Sequence, residues 1–377
     1  MYGATRDALG ATALGTAALT KAIVNRSQRY TSERDRLARP KDRVGDLAAR
    51  AAFFTIADAM KIGVPIRELA NRGALPSARP LRLVDLGAGC GAMTLGWLAH
   101  CEVALDVTAI DRDAGALAIA GDAVRAFATR RGVPVSIVAR AGDVARAELP
   151  PADIVAIGTL LNELPFADAL ALVERAVAAV ADDGAVIVIE PALRDTSRAL
   201  HAVRDAVLAR GSAHVFAPCT RRAAPCPALA DPDDWCHEDR ALQLPPRTAE
   251  LAQLTHLRDG GMKFSYLVLR RRPLDLVDAG DSAWRIVSAP RPAKGKLELI
   301  GCCGTGRTTL RLLKRNRGVA NRDFERAARG DLLVIAAPSD ADRVEVGGTT
   351  RVSRIDPSRA SDLGPQVSGQ PDPVHKR

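Results

Sequence analysis

Aromatic side chains are scarce in this sequence: 3 Trp, 3 Tyr and 7 Phe make up 3% of its 377 residues. So few rings weigh against a large apolar pocket for a small molecule. No run of about 18 apolar residues occurs, so no transmembrane helix and no membrane partner are expected. No secretory apolar stretch precedes a small-residue cleavage site. Residues 1–32 carry Arg6, Lys21, Arg26 and Arg29 against Asp7 alone, which loosely resembles a transit peptide; an alanine-rich surface helix is the plainer reading. Seven cysteines are too few for a disulfide scaffold in a chain of this length. No internal repeats are present.

Charge is uneven. Residues 1–80 hold 14 basic against 7 acidic groups, residues 81–280 hold 21 against 26, and residues 281–377 hold 18 against 11. A mildly acidic centre between two basic ends suits a cofactor-binding core flanked by surfaces that meet polyphosphate, although an ordinary solvated basic surface gives the same count.

The organisation follows from periodicity. Residues 1–80 read as helical, with Asp46–Met60 apolar at helical spacing. From Leu81 short apolar strands alternate with helices: strands at 81–86, 103–110, 133–140, 153–157 and 185–189, helices at 92–100, 114–131, 167–180 and 197–210, and a late strand at 264–269. Repeated β-α units with apolar strands predict an α/β fold with a parallel sheet covered on both faces. Residues 281–356 alternate short strands, including 284–287, 297–300, 332–336 and 343–346, with Gly and Pro turns. They predict a small β-rich basic module. The Pro/Ser/Asp-rich tail 357–377 reads as disordered.

The most specific motif is Val84-Asp85-Leu86-Gly87-Ala88-Gly89-Cys90-Gly91, between a strand and a helix. Glycines there allow a sharp turn and close approach of a ligand. Such a turn also serves nicotinamide enzymes. Three acidic groups favour S-adenosylmethionine instead. Asp85 precedes the glycines, Asp111 ends the second strand where a carboxylate accepts from ribose hydroxyls, and Asp143 follows the third strand near the expected adenine. The reading is a Rossmann-like class I methyltransferase sheet over residues 81–280, with Asp85, Gly87, Ala88, Gly89, Gly91, Asp111 and Asp143 at the cofactor.

Asn162-Glu163-Leu164-Pro165-Phe166 follows the fourth strand, where substrate would meet the methyl group. It is a distant echo of the Asn/Asp-Pro-Pro-Tyr/Phe segment of base-aminating methyltransferases. Asn162 and Glu163 are candidate catalytic residues; capping of the next helix is the competing reading. Cys219, Cys226 and Cys236 lie in a proline-stiffened loop, 216–240. Thiolates favour zinc or iron–sulfur over magnesium, and a fourth ligand would come from Cys302, Cys303 or His237. The spacing lacks the tight pairs of structural zinc sites, and free buried thiols are the alternative. No C-x-x-x-C-x-x-C run of radical enzymes is present.

Taken in order, Val84–Gly91, Leu161–Leu164, Ile189-Glu190-Pro191, Ala217-Pro218-Cys219 to Cys226-Pro227, Trp235-Cys236-His237 and Lys263–Leu269 resemble the methyltransferase-like small-ribosomal-subunit assembly proteins of bacteria and mitochondria, over roughly residues 80–335. The resemblance implies a [4Fe–4S] cluster on Cys219, Cys226, Cys236 and Cys303, the last chosen over Cys302 because Cys303-Gly304-Thr305-Gly306 fits the family's Cys-x-x-Gly. It also implies a partner in the small ribosomal subunit and its RNA. Thr220 and Arg221 stand where a histidine is usual, Glu238 where an aromatic is, and Arg329 where a tryptophan is.

Three functions follow as expectations: a methyltransferase of small-subunit ribosomal RNA, a non-catalytic RNA-binding assembly factor that keeps the fold, or a small-molecule methyltransferase with a structural zinc. Phosphate contacts are expected from Arg307, Arg311, Lys314, Arg315 and Arg317. A monomer is expected, in the cytoplasm of a bacterium or the mitochondrial matrix of a eukaryote.

Overall fold

The computed structural model describes residues 1–32, 42–222, 225–240, 244–258, 261–274, 282–335 and 343–355. The expected disordered tail lies outside them.

Helices α1 (Tyr2–Leu9), α2 (Thr16–Ser32), α3 (Arg43–Ala49), α4 (Thr55–Ala59) and α5 (Gly63–Asn71) form an N-terminal cap. The expected helix at 46–60 is interrupted: Arg50–Phe54 is a π-helical turn between α3 and α4. Such turns widen a helix locally and often sit at functional positions. Asp42 starts α3 by accepting from Gly45 N at 2.8 Å. The cap has its own apolar core of Ile23, Phe53 and neighbouring alanines, which continues onto Cys90, Ala116 and Leu251.

The central layer comprises β1 (Leu81–Leu86), α6 (Ala92–His100), β2 (Leu105–Asp111), α7 (Ala114–Arg131), β3 (Val135–Ala141), β4 (Ala152–Gly158), α8 (Phe166–Ala179), β5 (Val180–Pro191), α9 (Arg194–Arg210), β6 (His214–Ala217), β7 (Glu238–Arg240), α10 (Pro246–Thr255) and β8 (Met262–Arg270). Strand order is β3-β2-β1-β4-β5-β8-β6, with β7 on β8. Strands β1 to β5 are parallel and β8 is antiparallel to β5 and β6. A parallel sheet with one reversed strand inserted near its end is the Rossmann-like arrangement of class I methyltransferases, as the β-α alternation led one to expect. Its order reverses between β1 and β4, which opens a crevice at their C-terminal ends. Two apolar clusters sandwich the sheet, one around Trp97 and Phe264, the other around Leu172 and Val188.

A second sheet contains β9 (Ala283–Ile286), β10 (Arg291–Ala293), β11 (Lys296–Cys302), β12 (Arg307–Leu313), β13 (Leu332–Ile335), β14 (Arg343–Val346) and β15 (Val352–Ile355), with the short helix α11 (Arg322–Glu325) before β13. Its order is β14-β12-β11-β9-β13-β15. The end strands β14 and β15 are consecutive in the chain, so the sheet curls round a core of Trp284, Leu299, Leu310 and Phe324.

One buried cation joins all three parts. Arg285 on β9 is 3% exposed and pairs with Glu68 of α5 at 2.6 Å. It also donates to Pro218 O at 2.7 Å and Gly330 O at 2.6 Å. Tyr266 of β8 donates to the same Glu68 carboxylate oxygen at 3.2 Å. Removing one partner of such a pair strands the other charge without water. Arg285→Ala is therefore expected to destabilise the fold by about 3–5 kcal/mol. Chemical denaturation followed by fluorescence of the adjacent Trp284 checks this; a midpoint unchanged from the parent would contradict it.

Candidate functional site

The glycine turn after β1 has the backbone that its sequence requires. Gly87, Gly89 and Gly91 have φ of 67°, 51° and 87°, a region that favours glycine. Gly87 N and Ala88 N donate to Ile110 O at 2.8 and 3.1 Å, which ties the turn to β2. Asp85 is buried, and its Oδ2 accepts from Thr94 N at 3.2 Å and Thr94 Oγ1 at 2.7 Å. It thus fastens the turn to the start of α6. Burial pushes its pKa up to about 6, against the pull of the Thr94 hydrogen bonds.

Asp111, at the end of β2, accepts from Gly89 N and from Asp113 N, each at 2.8 Å. Each carboxylate oxygen retains a second lone pair for a ribose hydroxyl. Asp143 lies in the exposed turn after β3 and accepts from Ala145 N at 2.9 Å, while Gly142 N donates to Asp111 O. Asp85, Gly87, Ala88, Gly89, Gly91, Asp111 and Asp143 therefore gather at one edge of the sheet.

The cap covers that edge. Arg50, in the π-helical turn, pairs with Asp113, which caps α7 by accepting from Ala116 N at 3.1 Å. A Cβ on Gly89 would lie 3.3 Å from Arg50 Nη2, and one on Gly87 would lie 3.0 Å from the Leu160 methyls. Neither residue carries a sequence signal of its own: Arg50 falls inside the apolar-periodic stretch 46–60 and Leu160 just after the fourth strand.

The expected acceptor position is also enclosed. Thr159, after β4, has φ 57°, rare for a β-branched residue. Glu190, at the end of β5, accepts from Leu160 N, Leu161 N and Asn162 Nδ2 at 3.0, 2.8 and 2.7 Å. Burial outweighs these bonds and raises its pKa to about 7. On its other side the Asn162 amide meets Tyr30 OH of α2 at 3.5 Å. Asn162 does not cap α8, whose N-cap is Pro165 with no side-chain bond. Glu163 points outward and pairs with Arg112 at 3.1 Å.

The cysteine loop is organised by one face of α9. Arg198 donates to Ala228 O, Asp231 O and Asp234 O at 3.0, 2.6 and 2.8 Å. His201 Nε2 meets Cys236 O at 3.1 Å, and Asp205 accepts from Cys226 N at 2.7 Å. Positions 198, 201 and 205 are helical neighbours, so one face grips the whole loop. Cys219, Cys226, Cys236 and Cys302 line a common pocket with His201, Arg204 and Arg307.

The fourth cysteine facing this pocket is thus Cys302 in place of the expected Cys303. Alternation along β11 is the reason: Leu297, Leu299 and Cys303 face the barrel core, while Glu298, Ile300 and Cys302 face outward. Cys303 Sγ lies 3.2 Å from Thr305 Oγ1. Thr220 Oγ1 donates to Cys302 O at 2.8 Å and Arg221 to Gly304 O at 2.6 Å, seating the second sheet on the loop.

Burial, reinforced by the neighbouring sulfurs, raises the thiol pKa of Cys226 to about 11 and of Cys302 to about 12, and lifts that of Cys236 further. Burial works against the charged forms of Arg204 and Arg307, but the neighbouring sulfurs, with Asp205 and Asp234, outweigh it and raise their pKa. Among the described residues, no group of three or more His, Cys, Asp or Glu side chains is set so that it could hold a metal ion.

Of the expected phosphate contacts, Arg307 turns to this pocket and pairs with Asp234. Arg311 pairs with Glu298 at 2.6 Å and Glu345 at 3.3 Å, and Arg317 with Glu325 at 3.1 Å. Lys314 and Arg315 are exposed and make no ion pair among the described residues.

Comparison with solved structures finds methyltransferases. The magnesium protoporphyrin IX methyltransferase of Synechocystis, solved with S-adenosylmethionine, is 13% identical, covers 69% of this chain and 99% of its own, and has a TM-score of 0.36. The plantazolicin methyltransferase BpumL, solved with S-adenosylhomocysteine, is 11% identical with coverage of 68% and 96% and a TM-score of 0.37. At such scores the fold class rests on the strand order described above. No curated protein matches the chain. No described helix is long and apolar enough to cross a membrane. The family pattern described as mitochondrial small ribosomal subunit Rsm22 matches residues 60–334, from just before α5 through the first sheet and into β13 of the second, and the chain belongs to that family.

Proposed function

We propose that this chain is a small-ribosomal-subunit factor that works by holding ribosomal RNA, with its methyltransferase-like half and its β module locked together by a metal cluster. The reading is carried by the pocket at their junction, which three cysteines of the 216–240 loop and one of β11 line together. The donor chemistry fits a [4Fe–4S] cluster on Cys219, Cys226, Cys236 and Cys302. Thiolates are soft donors, and each would hold a separate iron. Sulfurs spread round a pocket suit that better than one tetrahedral zinc ion, which needs four ligands converging on a point. A thiolate-bound cluster carries negative charge, and Arg204 and Arg307 are placed to balance it. The cluster supplies cross-linking here, and no redox step is invoked.

S-adenosylmethionine is the ligand we assign to the glycine turn. Asp111 would accept from its ribose, the positive-φ glycines would admit its chain, and Arg50 would close over it. The acceptor end supports a non-catalytic role. Asn162 is held by Glu190 at 2.7 Å and meets Tyr30 OH at 3.5 Å, so its amide is already engaged as a structural link and less available to a target base. Thr159 favours the second reading, methylation of small-subunit RNA, because backbone strain of this kind concentrates at reacting centres. In either reading the compartment is that of the ribosome served: cytoplasm in a bacterium, mitochondrial matrix in a eukaryote.

Anaerobic purification should yield a brown protein with about four irons per chain. Cys302→Ser should abolish the colour, whereas Cys303→Ser should keep it. A colourless protein with one zinc, or bleaching by the Cys303 change alone, would refute the ligand set. Asp111→Ala should weaken S-adenosylmethionine binding by about 10- to 100-fold in calorimetry, the loss of charge-assisted hydrogen bonds worth about 1.5–3 kcal/mol. Asn162→Ala should leave small-subunit assembly intact in cells. Methylation of immature small-subunit RNA by the purified chain, lost in that variant, would replace the non-catalytic reading with the enzymatic one.

A further inference from the structure

The β module has the connectivity of an oligonucleotide-binding barrel. Strands β9, β11, β12, β13 and β14 stand as its first to fifth. β11 is antiparallel to β9 and β12, β13 is antiparallel to β9, and β14 is parallel to β12. The short helix α11 falls between the third and fourth strands, as that barrel requires. In this architecture a ligand lies across the outer face of strands two and three, beside the loop that joins strands one and two. Here those are β11, β12 and the β10 hairpin.

The face can be read from its register. Lys296 stands opposite Leu313, Glu298 opposite Arg311, Ile300 opposite Thr309 and Cys302 opposite Arg307. The Cys302–Arg307 end is covered by the cysteine loop. The far end is open. Its two carboxylates are already shared among three cations: Lys296 meets Glu298 at 2.9 Å, Arg311 bridges Glu298 and Glu345, and Arg343 meets Glu345 at 2.8 Å.

Beyond this ladder lie Arg291, Lys294, Lys314 and Arg315, all exposed and without an ion pair among the described residues. Lys314 N donates to Gly295 O at 2.8 Å, which holds the hairpin turn and the basic turn side by side.

We propose that this face binds single-stranded RNA. Phosphates would engage Arg291, Lys294, Lys314 and Arg315, and the strand would run across β11 and β12 toward the cysteine pocket. The proposal rests on the reading of the chain as a small-subunit factor, and adds which surface meets RNA and in what form. Charge complementarity selects a polyanion, and the barrel's strand-two and strand-three face selects a single strand over a duplex. No aromatic ring stands on the face; Trp284 and Phe324 are in the core. Binding therefore depends on phosphates, tolerates sequence change and falls steeply with salt.

The test uses the full chain purified anaerobically and a fluorescent single-stranded RNA of about 12 nucleotides, within the usual span of one such barrel. A duplex of equal length and a poly-glutamate peptide serve as competitors, and anisotropy is read across a salt series. The triple variant Lys294→Glu, Lys314→Glu, Arg315→Glu should bind the single strand more than tenfold more weakly, with a salt slope shallower by about 2. The control variant Arg125→Glu, Arg130→Glu, Arg146→Glu makes the same charge change on another surface and should bind like the parent.

Tighter binding of duplex, equal competition by poly-glutamate, equal loss in both variants, or no loss in the first would each overturn the proposal. Co-sedimentation with small subunits separates the two levels. If the parent co-sediments but RNA binding ignores the triple variant, the face is wrong and the broader reading stands. If the parent neither binds RNA nor co-sediments, both fall.

Discussion

A guanidinium taken out of water needs partners for its charge and donors, and Arg285 finds them, at Nε and Nη1, only where three parts of the chain converge, while its Nη2 is buried without one among the described residues. Glu68 comes from the N-terminal cap, the Pro218 carbonyl from the start of the cysteine loop, and the Gly330 carbonyl from the β module itself. Buried ion pairs contribute little net stability compared with apolar packing, because desolvation offsets attraction. What this one contributes is position. The docking that pairs Arg285 with Glu68 and Pro218 O also carries the outward edge of β11 to the cysteine loop.

The cysteine pocket follows from that docking. Alternation along β11 sends Cys302 outward and Cys303 inward, and docking makes the outward side the one that faces Cys219, Cys226 and Cys236. The α9 face then holds the loop through Arg198, His201 and Asp205, while Arg204 and Arg307 bring positive charge to the sulfurs. The same β11–β12 pair is covered at its cysteine end and open at its basic end. One strand pair thus lines the cysteine pocket at one end and carries the exposed basic groups at the other.

At the C-terminal ends of β1 and β4 the cap borders the crevice. Arg50 reaches the glycine turn because the helix is widened by a π turn there, and Tyr30 reaches Asn162 from α2. Glu190 completes the enclosure from β5. The glycine turn and Asn162 are therefore both in contact with the N-terminal cap, through Arg50 and Tyr30.

The α/β class, the strand-by-strand course of the parallel sheet and the gathering of Asp85, Asp111 and the glycines were legible from residue pattern alone. They follow from local rules: buried strands are apolar, and left-handed turns take glycine. Even the inward parity of Cys303 was written in Leu297 and Leu299, but a match to Cys-x-x-Gly outweighed it. The strand β12 is masked in the sequence because Arg307 and Arg311 read as a charge cluster, although Leu310 and Leu312 between and beside them carry the alternation. Tertiary structure alone decided the rest: that Tyr30 and Arg50 cover the crevice, that Arg307, Arg311 and Arg317 are spent on carboxylates, and that four distant thiols share a pocket. Those outcomes depend on which surfaces meet, and contacts between segments far apart in a chain leave no periodicity in either one.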